Sequence, residues 1–334
     1  MIDVHALVDE VRAEAPGVAP RAVLEAARPT VIRDLVAHWP SVESAVAGNG
    51  ALLSYLRKLH RDRPILAFQG SAEMRGRFFY NDDLSGFNFD TVNTTVGRFL
   101  DRMAAKDVDN HAYIGSSTVQ HYFPGFEQQN MLDIGIENPL ISIWMGNQSR
   151  VAAHFDAPSN VACVVAGRRR FTLFPPEQLP NLYVGPIDLT PAGQAISLVD
   201  FADPDLSRFP RFAEAMAAAQ VAELGPGDAL YLPSMWWHHV EALADVNVLV
   251  NYWWSRPGLA SGNPMNALIH ALLSIRGLTP EKRRAWQGLF EHYVFTASED
   301  AHAHIPEDRR GVLGTLDRQT QKQLRDMLRN ALQG

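Results

Sequence analysis

One residue separates a histidine from an aspartate in the run Arg150-Val-Ala-Ala-His154-Phe-Asp156. The residues on either side read as strand rather than helix, and on a strand positions i and i+2 point to the same face. Both side chains are therefore aimed at one point. Far downstream, Gly225-Pro-Gly-Asp and a strand-like run lead into Trp236-Trp237-His238-His239. Two histidines and one carboxylate, brought together on a small barrel, form the ligand set with which non-haem oxygenases hold Fe(II). The bland alternative for His154 and Asp156 is a hydrogen-bonded pair on a strand. The downstream motif favours the metal reading, because it is far more specific than a lone His-x-Asp.

Only one of the two adjacent histidines can point inward with His154, since neighbours on a strand face opposite ways. His238 is the chosen ligand, and His239 is expected to pack outside the barrel. Asn251 and Trp253 share a face of the run Val-Leu-Val-Asn-Tyr-Trp, opposite Val248, Val250 and Tyr252. A polar residue inside an apolar strand is costly unless bonded. Asn251 thus either faces the metal cavity or bonds a neighbouring loop. Arg168-Arg169-Arg170 follows the turn residue Gly167. It is either a solvated hairpin tip or the source of one arginine that enters the barrel and grips a carboxylate bidentately. Arg169, on the face of Phe171 and Leu173, is that candidate. Cys163 reads as a small buried hydrophobe. His302 and His304 read as surface, and His270 and His292 lie on helical stretches.

The surrounding pattern is mainly β. Strand-like runs separated by turns occur at His111–Gly115, 139–146, 150–156, 160–166, 170–174, 228–233, 238–243 and 246–254. Many short strands with turn signals between them indicate an antiparallel barrel or sandwich. Residues 1–109 form a mixed α/β region supporting the barrel. Within it Val4, Leu7, Val8 and Val11 repeat at helical spacing and predict a helix. Residues 50–60 and 95–105 are further helices, Pro64–Phe68 is a strand, and 70–89 is a loop with a short hairpin. Residues 177–222 are looser, with a helix at 212–220. Residues 257–334 are helical, and apolar stripes at Met265, Leu268, Ile269, Leu272 and Leu273, and at Trp286, Leu289, Phe290 and Val294, predict a homodimer interface.

Composition is that of an ordinary globular chain: 334 residues, 46% hydrophobic and 20% charged. A formal charge of −7 gives no general basic surface for nucleic acid. The single cysteine excludes an internal disulfide and a Cys-rich zinc site. No apolar run approaches the roughly 20 residues of a membrane helix, and the acidic start is unlike a signal peptide. A cytoplasmic enzyme is the expectation, with no nucleic-acid or membrane partner.

Taken together, His154-Phe-Asp, the stretch from Asn160 to Arg-Phe-Thr-Leu-Phe-Pro-Pro176, Gly-Pro-Gly-Asp-Ala-Leu-Tyr-Leu-Pro, Trp-Trp-His-His-Val-Glu and Val-Asn-Tyr-Trp resemble the cupin-like JmjC hydroxylases. The likeness is specific over about 110–256. It implies a double-stranded β-helix core, with Fe(II) bound by His154, Asp156 and His238, and with 2-oxoglutarate and O2 as co-substrates. The implied reaction decarboxylates 2-oxoglutarate to succinate and CO2 while hydroxylating a C–H bond. Arg169 matches the basic residue for the distal carboxylate of 2-oxoglutarate. Asn160 and Asn251 match asparagines of the co-substrate pocket, Trp253 an aromatic near the site, and Tyr113 a tyrosine contacting 2-oxoglutarate. The implied substrate is a protein or peptide side chain; a small molecule or sugar, or a non-catalytic metal-binding module, are the alternatives. One position departs from the pattern. The family commonly has threonine three residues before the first ligand, where this chain has Val151; the alternatives are that Ser149 or Thr172 stands in for the hydroxyl, or that the pocket is altered.

Overall fold

A computed structural model describes residues 6–105, 110–191, 193–255, 262–296 and 301–332 of the chain. It divides into two compact units, residues 1–256 and 257–334.

The first unit is built on two facing sheets. Its strands in chain order are β1 (Ala6–Leu7), β2 (Asp9–Arg12), β3 (Thr30–Arg33), β4 (Pro64–Ser71), β5 (Arg77–Phe78), β6 (Asp90–Thr95), β7 (Asn110–Thr118), β8 (Leu140–Gly146), β9 (Ser149–Phe155), β10 (Ser159–Ala166), β11 (Arg169–Phe174), β12 (Gln220–Leu224), β13 (Ala229–Leu232), β14 (Trp237–Ala242) and β15 (Asn247–Trp254). The smaller sheet runs β1-β12-β11-β14-β9-β5, and the larger runs β2-β3-β13-β10-β15-β8-β7-β4-β6. This is a mainly β jelly-roll core with helical additions, as expected of a double-stranded β-helix.

Period-two alternation divides the apolar side chains between three layers. On β10 and β15, Val161, Cys163, Val165, Val248, Val250 and Tyr252 pack outward against a core that includes Leu52, Leu53 and Leu56 of helix Asn49–Leu59 and Phe99 and Leu100 of helix Val96–Ala105. Trp39 is fully buried in that core, edge-on to Phe126, and its indole donates to the carbonyl of Met131 at 2.8 Å. The opposite faces of the same strands turn into the barrel, where Ala162, Val164 and Leu249 meet Phe171, Leu173 and Val240 of the smaller sheet. Outside that sheet, Ala153, Phe174 and Trp237 pack against Leu182, Val199, Phe209 and Phe212.

Two turns show why the punctuation is glycine. Gly167 has φ +79°, and a Cβ there would lie 2.2 Å from Oδ1 of Asn247. In Gly225-Pro-Gly-Asp, Gly227 has φ +97°. The carboxylate of Asp228 then accepts from the backbone N–H of Gly225 at 3.1 Å and from Arg33 at 2.6 Å. The motif therefore fastens β3 to β13 rather than holding a ligand.

Three expectations change. The predicted N-terminal helix is instead β1 and β2, which pair in parallel with β12 and β3. Of its apolar stripe only Val8 is buried, Leu7 is 73% exposed, and Val4 lies outside the described residues. Edge-strand hydrogen bonds supplied by distant partners override the local period. The helix expected at 212–220 stops at Ala217, and Gln220 opens β12, whose partner β11 supplies the pairing. The loop expected at 70–89 also contains β5, which lies parallel to β9.

The second unit contains helices Pro264–Ser274, Pro280–Phe290 and Arg318–Leu332, none of which buries a residue. Among the described residues no helix is long and apolar enough to cross a membrane.

Candidate metal centre

β9 and β14 are antiparallel neighbours, and their register sets His154 directly opposite His238. The two rings lie 4.2 Å apart, and Nε2 of His238 is 3.3 Å from Oδ2 of Asp156. One ligating atom from each of the three residues falls within 4.8 Å of the others. Both imidazoles are oriented by the same device. Nδ1 of His154 bonds the carbonyl of Ala152 at 2.9 Å, and Nδ1 of His238 that of Trp236 at 3.0 Å. A carbonyl oxygen only accepts, so Nδ1 carries the proton and Nε2 keeps its lone pair for the centre.

Burial, with the neighbouring His238, pushes the His154 imidazole down to about 4, so the ring is neutral, as a metal ligand must be. Burial works against the charge of Asp156, but the adjacent His238 and His154 imidazoles outweigh that and hold the carboxyl below the usual range. Two neutral imidazole nitrogens and one carboxylate oxygen fit a ferrous ion and leave room for further ligands on the open side.

A β-bulge sets which residues accompany the ligands. Val151 pairs with Val240 and His154 with His238, so Ala152 and Ala153 together oppose His239. Both alanines pack outward, in separate clusters behind the sheet. The extra residue resets the alternation, and Val151 and His154 face inward although three positions apart. Bulges recur beside active sites for this purpose. His239 faces outward against Phe201, with ring centroids 4.5 Å apart. Burial, then the positive charges of Arg150 and Arg77, push its imidazole down to about 3.

All eight residues singled out in the sequence line one cavity of about 170 Å3: His154, Asp156, His238, Arg169, Asn160, Asn251, Tyr113 and Trp253. Asn251 faces this cavity and donates to Oδ1 of Asn160 at 2.9 Å, a partner on strand β10 and not on a loop. Arg169 is not a hairpin tip. It is 8% exposed, with no carboxylate partner among the described residues, and burial pushes its guanidinium down to about 10. Ser149 and Thr172, the candidate replacement hydroxyls, do not line the cavity. Thr172 follows Phe171 onto the outer face of β11, and Ser149 pairs with Ala242 at the level of Arg169 without lining the cavity.

Sequence reading missed Trp144, which lines the cavity from β8. The signal was present: Ile141, Ile143 and Met145 pack in the helix-side core, which leaves Trp144 on the inner face. It also missed Ser116, turned toward the cavity by a second bulge at Gly115-Ser116 with φ +43°. Four polar atoms here are buried with no hydrogen-bond partner among the described residues: Nε of Arg169, Oδ1 of Asn251, and Nε1 of Trp144 and of Trp253. Buried polar groups are ordinarily paired. Oδ1 of Asn251, an acceptor, calls for a donor, whereas the three N–H donors describe a ligand that accepts hydrogen bonds and carries negative charge. The distal carboxylate of 2-oxoglutarate fits that description.

A family model described as a cupin-like domain matches residues 17–259. The chain is 37% identical over 117 residues to "Lysine-specific demethylase JMJ31" of Arabidopsis thaliana, covering 34% of this chain and 20% of the relative. It is 37% identical over 114 residues to human "HSPB1-associated protein 1", covering 34% and 23%. To "Lysine-specific demethylase 8" of Danio rerio it is 26% identical over 240 residues, covering 70% and 54%. The matched region thus spans from a fifth to about half the length of these relatives.

Proposed function

The chain belongs to the cupin-like, JmjC-type family, and from that premise we propose that it is an Fe(II)- and 2-oxoglutarate-dependent dioxygenase hydroxylating a side chain of a protein or peptide. The observation that carries this reading is one cavity with a His/Asp/His cluster at its more open end and, among its lining residues, a buried guanidinium with no carboxylate partner among the described residues. His154, Asp156 and His238 would hold the iron. Arg169 would hold the distal carboxylate of 2-oxoglutarate, with Asn160, Asn251, Tyr113 and Trp253 around it. When bound, iron with 2-oxoglutarate and O2 supplies the oxidising equivalents that convert C–H to C–OH, as the keto acid is decarboxylated to succinate and CO2.

The chain's own residues would do the rest. The backbone carbonyls of Ala152 and Trp236 fix the imidazoles. Apolar walls from Phe171, Leu232, Val240 and Leu249 exclude water behind the metal. The size of the cavity supports a macromolecular substrate. Its 170 Å3 is well under the roughly 300 Å3 at which drug-sized pockets begin. A five-carbon dicarboxylate uses much of that space, so a second substrate reaches the centre from the open side, which a protein side chain is narrow enough to enter. Asp156, whose side chain is 18% exposed against 6% for His238, marks the open side. The relatives named as demethylases act on lysine by their names, and removal of an N-methyl group begins with the same C–H hydroxylation.

The test is anaerobic iron loading, then oxygen, 2-oxoglutarate and a peptide library, with succinate and substrate mass as readouts. Iron-loaded protein that forms no succinate with any substrate would count against the reading.

Dimerisation through the C-terminal helices is part of the proposal. Leu273, Phe295 and Met327 are 76%, 72% and 63% exposed, and a unit this small cannot leave its apolar stripes in water without losing its main source of stability. Light scattering is expected to give the mass of a dimer at micromolar concentration. The double variant Leu273→Glu/Phe295→Glu is expected to raise the dissociation constant more than about 100-fold, since each side chain is worth roughly 1.5–3 kcal/mol when buried. A wild-type monomer would sink this part of the proposal.

A further inference from the structure

We infer that Trp144 is a co-substrate-positioning residue, its indole N–H donating to the distal carboxylate of the keto acid alongside Arg169. This rests on the proposed function and deepens it.

Three observations carry the inference. First, Nε1 of Trp144 is a buried donor with no partner among the described residues, on a side chain that lines the cavity. Tryptophan N–H groups usually find a partner when buried, and leaving one unmade costs more than the bond itself is worth. Second, strand register puts Trp144 at the same end of the cavity as Arg169. On β14, Arg169 pairs with Ala242, four residues past His238. In the larger sheet Trp144 pairs with Leu249, four residues from Trp253, which pairs with Asn160 just after the β9–β10 turn that follows Asp156. Both side chains therefore root four residues below the metal end, one on each sheet. Third, the indole is locked. It stacks on Tyr113 with ring planes 16° apart. A Cβ on Gly115 would lie 2.8 Å from the Trp144 ring, so the neighbouring bulge keeps a glycine where the indole lies.

Other polar residues line the wall too, Tyr113, Ser116 and Trp253 among them, and of these Trp253 roots at the metal end. Val151 presents methyl groups to the same cavity, and Ser149 and Thr172 lie outside it. A rigid indole N–H beside a guanidinium would add direction to an otherwise delocalised charge contact.

The test uses the full chain. With Mn(II) bound, Trp144→Phe keeps an aromatic ring and removes the N–H. Its dissociation constant for 2-oxoglutarate, measured by calorimetry, is expected to rise at least about 10-fold, as for loss of a hydrogen bond to a charged group, with Mn(II) affinity unchanged. Adding Val151→Thr, which returns a hydroxyl to the wall, is expected to recover part of that loss. An independent readout needs no folding variant. In Zn(II)-loaded wild type labelled with 15N at tryptophan, the Trp144 indole proton is expected to move downfield when 2-oxoglutarate is added. The inference is overturned by an indole resonance that stays in place while the keto acid binds, by less than threefold loss in Trp144→Phe, or by an equal loss of Mn(II) affinity. Wild type that takes up metal but no 2-oxoglutarate would instead bring down the proposed function, and this inference with it.

Discussion

Replacing His238 with alanine is expected to abolish tight binding of Mn(II) or Fe(II), while His239→Phe leaves it within about threefold. Removing only the group that hydrogen-bonds a metal ligand typically costs about 10–100-fold in metal affinity, so loss of the ligand itself should exceed that range. The two residues are neighbours in sequence but lie on opposite faces of β14. His238 points at Asp156 across 3.3 Å, and His239 packs on Phe201 behind the sheet. His239→Phe also removes a buried Nδ1 that has no partner among the described residues, so the fold should tolerate it. Titration of Mn(II) followed by electron paramagnetic resonance reads both variants directly. If His239→Phe lost the metal and His238→Ala kept it, the assignment of the centre would be reversed.

Arg169→Met should show opposite effects on binding and on stability. Truncating one member of a buried, hydrogen-bonded charge pair costs about 2–5 kcal/mol, so 2-oxoglutarate affinity is expected to fall from about 30-fold to several thousand-fold. The ligand-free protein should not suffer. Burial lowers the Arg169 guanidinium from 12.5 to about 10, and at about 1.4 kcal/mol per pH unit this destabilises the empty fold by about 3 kcal/mol. The sign follows from the direction. A base whose folded pKa is depressed loses stability wherever it is protonated, so the full cost applies below about pH 10 and fades as the pH rises toward 12.5. An apolar side chain of similar length removes that cost, and such replacements of buried charge are often neutral or stabilising. Thermal unfolding at pH 7 is therefore expected to give an unchanged or higher Tm for Arg169→Met. At 100 times its dissociation constant, 2-oxoglutarate should stabilise the wild type by about 2.7 kcal/mol and leave the variant unmoved. A large fall in the Tm of the ligand-free variant would mean that Arg169 serves the fold instead.

The two predictions differ in how far the sequence alone could reach them. The choice of His238 over His239 needed only the two-residue period of a strand, and the structure has them on opposite faces. The same period paired Asn251 with Trp253 and Arg169 with Phe171, and all four line the cavity. What Arg169 faces was not decided by that period. A run of three arginines after a turn glycine describes a solvated tip equally well, and only the closure of one sheet over the other buries this one.

The period also misled where the partner strand intervenes. By alternation Val151 belongs on the face opposite His154, and the bulge at Ala152-Ala153 brings both inside. Leu7, Val8 and Val11 have a helical spacing, yet pairing with β12 and β3 draws their backbone into two strands. Ser149 lies two residues from Val151 in sequence, yet neither it nor Thr172 lines the cavity.

The sequence by itself determined which side chains share a face, the ligand types available, and a mainly β core able to bring His238 to His154 and Asp156. These follow from backbone geometry within a single strand, which every residue carries locally. Tertiary structure alone decided where alternation is broken, that Arg169 and Trp144 root at the same end of one cavity, and that Nε of the one and Nε1 of the other have no hydrogen-bond partner among the described residues. Register, bulges and burial depend on the strand lying alongside, and no single stretch of chain contains its neighbour.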